Sequence, residues 1–217
     1  MEIYSRHSIC NPLSVYGKTK REGELAIAKS GCKYLIFRTS WLHSQYGKNF
    51  VKTIYSLLKE GQKLFGVNDE ISAPTCAISL ANFIYHIIED FNSKNNYLYK
   101  NGIYHFTDMG ITSRYDMMFE IAEVMKKRGI IDRYDITPVS SEEFEKYSTS
   151  IAKRPKYSVM DISGTMYVFD MKPNTWESMI DKVVGFLNRE DEKRLNFNAD
   201  NDEFDYGHNV TYEVNGQ

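Results

Sequence analysis

Residues 34–40, Tyr34-Leu35-Ile36-Phe37-Arg38-Thr39-Ser40, form a mostly continuous apolar run. A strand with that pattern is covered on both faces, as in a parallel sheet flanked by helices, whereas a half-solvated antiparallel strand alternates. The segments around it agree. A helix is expected from Pro12, placed for a first turn, through Ala28, with Gly31 to stop it. Phe50, Ile54, Leu57 and Leu58 share one face of a helix over 49–59, closed by Gly61. Further strands are expected at 63–67, 102–107 and 135–139, and further helices at 76–91, from Ser113 to Lys127, after Ser140 or Ser141, and over 175–187. Strands alternating with helices predict an α/β fold with a largely parallel sheet. Residues 1–11 read as a loop, 12–188 as the folded portion, and 189–217 as a polar, acidic, disordered tail.

Composition narrows the function. A length of 217 residues is enough for a real core, and a formal net charge of -2 gives no electrostatic case for nucleic acid or an anionic membrane. The longest apolar stretch, 78–88, is interrupted by Ser79, Asn82 and His86 and is too short to span a bilayer. The N-terminus lacks a basic-then-apolar signal pattern, so a cytoplasmic location is expected. Cys10, Cys32 and Cys76 have no metal-binding spacing and read as reduced thiols; no metal site is assigned. The Asn209-Val210-Thr211 sequon has no meaning without a secretory signal.

Tyr16 and Lys20, four apart on the first expected helix, share a face. An ammonium beside a phenol oxygen favours proton release, which donation to a carbonyl oxygen requires. The spacing alone is weak, because Tyr55 and Lys59 repeat it on an amphipathic helix. The setting of the first pair is more specific. Asn11-Pro12-Leu13-Ser14-Val15-Tyr16-Gly17-Lys18-Thr19-Lys20-Arg21-Glu22-Gly23-Glu24 resembles the active-site stretch of extended short-chain reductases acting on nucleotide sugars, and more narrowly that of the dTDP-4-dehydrorhamnose reductase family. Arg38-Thr39-Ser40-Trp41-Leu42 with Gly47-Lys48-Asn49-Phe50-Val51, the loop 67–75, Gly102-Ile103-Tyr104-His105, and Arg154-Pro155 with Ser158 and Asp161 are similar to four further blocks of that family.

The resemblance implies the C-terminal part of a Rossmann-like parallel sheet plus a small α/β substrate-binding subdomain. It implies Tyr16 and Lys20 as catalytic and cofactor-contacting residues, and Arg38, Trp41, Asn49, Glu70 and Arg154 as substrate-binding residues. NADPH or NADH would be the cofactor, a nucleotide sugar the substrate, and magnesium a family possibility with no assignable site. Two positions depart from the pattern: Glu70 stands where the family usually carries Gln, and Ser72 where it usually carries Gly. A carboxylate only accepts hydrogen bonds, whereas an amide also donates. For Arg38 a salt bridge below the strand, and for Trp41 simple packing, are the competing readings.

None of the thirteen glycines forms the Gly-x-Gly-x-x-Gly or Gly-x-x-Gly-x-x-Gly turn of a dinucleotide site. The Ser or Thr that completes the family's catalytic set upstream of the tyrosine has no counterpart. The expectation is an incomplete reductase, inactive alone, binding NAD(P)H poorly and folding poorly, with an N-terminal half of roughly a hundred residues lost or supplied by another chain, or with a homo-oligomer. Two alternatives remain open: a non-catalytic subunit similar to the regulatory subunit of methionine adenosyltransferase, and another sugar-nucleotide epimerase or dehydratase.

Overall fold

The computed structural model describes residues 3–92, 100–146 and 155–202. The first helix, α1 (Val15–Lys29), starts later than Pro12 predicts, because the Ser14 hydroxyl accepts from the Gly17 N–H and caps it there. Gly31, at φ 75°, ends it in the left-handed conformation that suits glycine. No residue of α1 is buried.

Three parallel strand pairs and one antiparallel pair follow. Strand β1 (Leu35–Arg38) runs parallel to β6 (Gly102–His105), with Leu35 opposite Gly102 and Arg38 opposite His105. Strand β2 (Leu42–His43) runs parallel to β5 (Thr75–Cys76), and β3 (Lys63–Val67) to β8 (Asp135–Val139). The antiparallel pair is β4 (Ile71–Ser72) with β7 (Thr112–Ser113). All four β1 residues are only half-buried, so the two-sided burial expected for this run is not met. One side is covered by aromatic rings; on the other, α1 stands off and a cavity intervenes.

Two apolar cores hold these pairs. The larger joins α2 (Phe50–Lys59), α4 (Arg114–Lys127) and α7 (Trp176–Asp202) against β3, through Val51, Ile54, Met117, Ile121, Met125, Ile180 and Val184. Gly66 permits this approach: a Cβ there would lie 2.8 Å from the Tyr115 Cα. The smaller core packs Phe83 and Ile87 of α3 (Ala77–Asn92) on Tyr104, Phe106 and Phe169. Phe169 ends α6 (Ser163–Phe169), and the Phe83 and Phe106 rings stack at 4.6 Å. The short α5 (Ser141–Glu145), next to β3, is opened by a capping box of Ser140 and Glu143.

The last helix runs past Leu187 to Asp202, through residues that the sequence reading gives to a disordered tail. Local pairs and one distant tie sustain it where apolar periodicity has stopped. Asn188 donates to Glu192 at 2.7 Å, Lys193 pairs with Glu190 at 3.1 Å, and Asp191 is held by α2. Residues 203–217 lie outside the described residues. Among the described residues, no helix is long and apolar enough to cross a membrane.

Candidate functional site

A cavity of about 960 Å³ lies between α1 and β1, lined among others by Tyr16, Lys20, Arg38, His105 and Ser158. Backbone pairing brings its distant walls together. The Tyr4 N–H donates to the Val159 carbonyl at 2.9 Å, and the Asp161 N–H to the Tyr4 carbonyl at 2.8 Å. The Ile71 N–H bonds the Lys156 carbonyl at 2.8 Å, and the Ser158 N–H bonds the Ile71 carbonyl at 2.9 Å. The segment that begins at Pro155 is thus clamped between the N-terminal loop and the 67–75 loop.

Tyr16 and Lys20 sit one turn apart on α1, with the Lys20 Nζ 5.6 Å from the Tyr16 ring centroid. Tyr16 is 73% exposed, so its hydroxyl is open to a ligand. The second Tyr-x-x-x-Lys pair is different. The Tyr55 hydroxyl donates to Asp191 at 2.9 Å, and the Lys59 Nζ reaches the same carboxylate oxygen at 2.6 Å. Burial and the Asp191 charge push the Tyr55 phenol up, away from any proton-donating range. That pair fastens α7 to α2 and does not line the cavity beside Tyr16.

Arg38 lines the cavity, but its guanidinium is engaged. Its Nε and Nη2 each contact a separate oxygen of Glu24 at 2.7 Å, a bidentate pair from strand to helix. Arg21 adds a contact to Glu24 at 2.9 Å. The hydrogen bond from Arg38 holds the Glu24 carboxyl below its ordinary value against the opposing effect of burial. The salt-bridge reading of Arg38 is therefore present in the structure.

Trp41, Asn49 and Glu70 do not line this cavity. Asn49 caps α2: its Oδ1 accepts from the Lys52 N–H at 3.2 Å, and its Nδ2 donates to the Ser44 and Tyr46 carbonyls at 2.8 and 3.0 Å. Trp41 has a left-handed backbone, φ 43°, unusual for a bulky residue. Glu70 is half-buried just before β4. Arg154 lies outside the described residues; its neighbour Pro155 lines the cavity.

Three residues missed by sequence reasoning matter here. Glu24 is four residues after Lys20, a spacing that places it on the same helix face, but its partner in β1 is visible only in the fold. His105 is 3% exposed at the cavity wall, and its Nδ1 has no hydrogen-bond partner. Burial, reinforced by the Arg38 charge, pushes its imidazole toward the neutral form. Arg114 lies between two aromatic rings, with its guanidinium carbon 4.0 Å from the Trp41 centroid and 4.6 Å from that of Phe50. Among the described residues no three His, Cys, Asp or Glu side chains gather as a metal site.

Comparison with known proteins agrees with this architecture. The family model of the RmlD substrate binding domain matches residues 1–188. The dTDP-4-dehydrorhamnose reductase of Aggregatibacter actinomycetemcomitans is 33% identical, covering 84% of this chain and 60% of that protein. That of Escherichia coli (strain K12) is also 33% identical, covering 81% of this chain and 57% of that protein. Among solved structures, a dTDP-4-dehydrorhamnose reductase from Clostridium acetobutylicum superposes with a TM-score of 0.72 at 34% identity, covering 87% of this chain and 61% of that one. The Bacillus anthracis reductase in complex with NADP gives 0.67 at 29%, covering 83% and 58%. The chain thus spans about three fifths of the length of these curated relatives. With most of its residues matched by one family model and parallel strand pairs shared with Rossmann-like reductases, this chain belongs to the RmlD substrate binding domain family.

Proposed function

We propose that this chain carries the proton-donating and sugar-nucleotide-binding part of a dTDP-4-dehydrorhamnose reductase, acting on the C4 ketone of a dTDP-4-dehydro-sugar. The observation that carries this reading is the Tyr16–Lys20 pair on a capped helix, beside an open cavity of about 960 Å³. A nicotinamide cofactor, when bound, supplies hydride. Tyr16 gives its hydroxyl proton to the oxygen of the carbonyl being reduced. Lys20, with its ammonium near the Tyr16 ring, steadies that proton transfer and reaches toward the nicotinamide ribose. These two residues fit the reactive end of the cofactor. The pyrophosphate end fits poorly: among the described residues no glycine-rich turn leads from a strand into a helix N-terminus. A nucleotide-binding half beyond these residues would complete the site. Ile9 and Leu13, in the loop before α1, and Val15, its first residue, are exposed and offer such a half an apolar face.

Calorimetric titration tests this reading. The chain should bind dTDP, and should bind NADPH alone weakly or not at all. Mixed with the N-terminal half of the Clostridium relative, it should consume NADPH in the presence of the keto sugar, and Tyr16→Phe should slow that turnover roughly 10²- to 10⁴-fold. Absence of dTDP binding would overturn the substrate reading. A second reading, a non-catalytic binding subunit, is favoured by the commitment of Arg38 to Glu24 and of Asn49 to its helix cap. It predicts that the mixture never turns over while dTDP still binds.

A further inference from the structure

The sharpest backbone anomaly in the described chain is Trp41, one of two non-glycine residues at positive φ. Such a conformation persists in a large aromatic residue only where its surroundings enforce it. The surroundings are specific. The Trp41 carbonyl accepts from the Thr75 N–H at 3.5 Å and faces the His43 Nδ1 at 3.4 Å, while the preceding Ser40 hydroxyl donates to the Ala73 carbonyl at 2.5 Å. These bonds fix the backbone, not the ring. The ring is met by Arg114, the first residue of α4, whose guanidinium carbon is 4.0 Å from its centroid and 4.6 Å from that of the Phe50 ring.

Each layer of this stack comes from a different element, and each is anchored. Phe50 opens α2 directly after its Asn49 cap. Arg114 follows the Ser113 cap, whose Oγ accepts from the Asp116 N–H at 3.0 Å. Ser113 is also paired with Ile71 in the antiparallel register, which fixes where α4 begins. Trp41, and Asn49 through its neighbour Phe50, both absent from the cavity beside Tyr16, are thus brought to this one arginine. A planar guanidinium in contact with two rings is a rigid spacer as well as a charge, which a lysine ammonium is not.

We propose that Arg114 is a positioning residue. Held against both Phe50 and Trp41, it keeps the partly exposed indole as a fixed wall against which a ring of the dTDP portion of a nucleotide sugar packs. The ligand part of this proposal rests on the dTDP-sugar reading above; the clamp itself does not.

The test uses the full chain, whose two tryptophans differ in access, Trp176 being buried and Trp41 half-exposed. Arg114→Gln should raise acrylamide quenching of the Trp41 emission, identified by its loss in Trp41→Phe. It should weaken dTDP binding by roughly 2- to 30-fold, the range expected for losing a cation–π contact. Arg114→Lys should fall between, and it takes over both measurements if far-ultraviolet circular dichroism shows that Arg114→Gln does not fold. In a Trp41→Gly background, which removes the indole and relieves the positive φ, Arg114→Gln should have no further effect on binding. Unchanged quenching would overturn the clamp. An equal loss of affinity in the Trp41→Gly background would also overturn it, by showing that Arg114 meets the ligand directly. If the unaltered chain binds no dTDP, the substrate reading fails, and quenching alone decides whether Arg114 holds the indole.

Discussion

Glu24 and Arg38 face each other through two parallel 2.7 Å contacts, one from Nε and one from Nη2, across the gap between α1 and β1. Because α1 buries no residue of its own, this pair does much of what an apolar face would do elsewhere. Glu24→Gln should therefore loosen the helix that carries Tyr16 and Lys20 while leaving the two cores intact. Amide hydrogen exchange over residues 15–29 should speed up by an amount corresponding to about 1–2 kcal/mol. Because the Glu24 carboxyl is lowered in the folded chain, its contribution is present above the ordinary glutamate range and is lost as pH falls through the lowered value. Acid should release α1 before it unfolds the rest.

His43 and Asp108 are both buried, and burial moves them in opposite directions, His43 down to about 4 and Asp108 up to about 6. Between about pH 4 and 6.5 the unfolded chain holds a proton on His43 that the folded chain lacks, so this residue makes stability rise with pH. Between about pH 4 and 6 the folded chain holds a proton on Asp108 that the unfolded chain has lost, so this residue makes stability fall. The two oppose each other, but buried His105 is lowered in the same sense as His43, so stability of the unaltered chain should rise with pH over this range. The rise in urea midpoint with pH should be steeper in Asp108→Asn and shallower in His43→Gln.

Tyr55→Phe removes the bond to Asp191 and should cost about 1 kcal/mol of stability, read as a small drop in the urea midpoint. Its effect should appear as faster exchange over 188–194, with dTDP affinity unchanged. A marked loss of dTDP affinity would place the second Tyr-x-x-x-Lys pair at the site after all.

Gly110 holds φ at 96°, and a Cβ there would lie 2.8 Å from Cδ1 of the buried Trp176 ring. Gly110→Ala combines backbone strain with a clash and should cost roughly 2–4 kcal/mol. The thermal melting temperature is the measure. The same substitution at Gly31, where a Cβ would meet nothing within 4 Å, retains only the strain at φ 75° and should cost less.

Local signals in the sequence located most elements. The caps at Ser113 and Ser140, and the glycine stops at 31, 61 and 129, mark helix ends because their chemistry is confined to a few adjacent residues, whereas the Ser14 and Asn49 caps become apparent only in the fold. Beyond Leu187 apolar periodicity fails as a guide, since polar pairs and a hydrogen bond spanning 136 residues hold the helix. The strand at 35–38 reads as doubly covered because apolar composition reports what a strand can bury, not what it meets. Site residues were less legible. The sequence shows Tyr16 with Lys20, and it shows Arg38, but whether Arg38 faces a ligand or Glu24 depends on a crossing of two elements. Arg114 carries no motif; only folding brings it between rings that lie more than sixty residues away in the chain.

Tyr104 and Phe106 of the smaller aromatic core flank His105 at the cavity wall, whereas the stack of Trp41, Arg114 and Phe50 leans on the larger core. A nucleotide sugar long enough to touch both would act as a stitch across a seam. Its binding would then be felt as cooperativity: two cores free to melt in separate steps would melt as one, and a broad transition would sharpen as ligand is added.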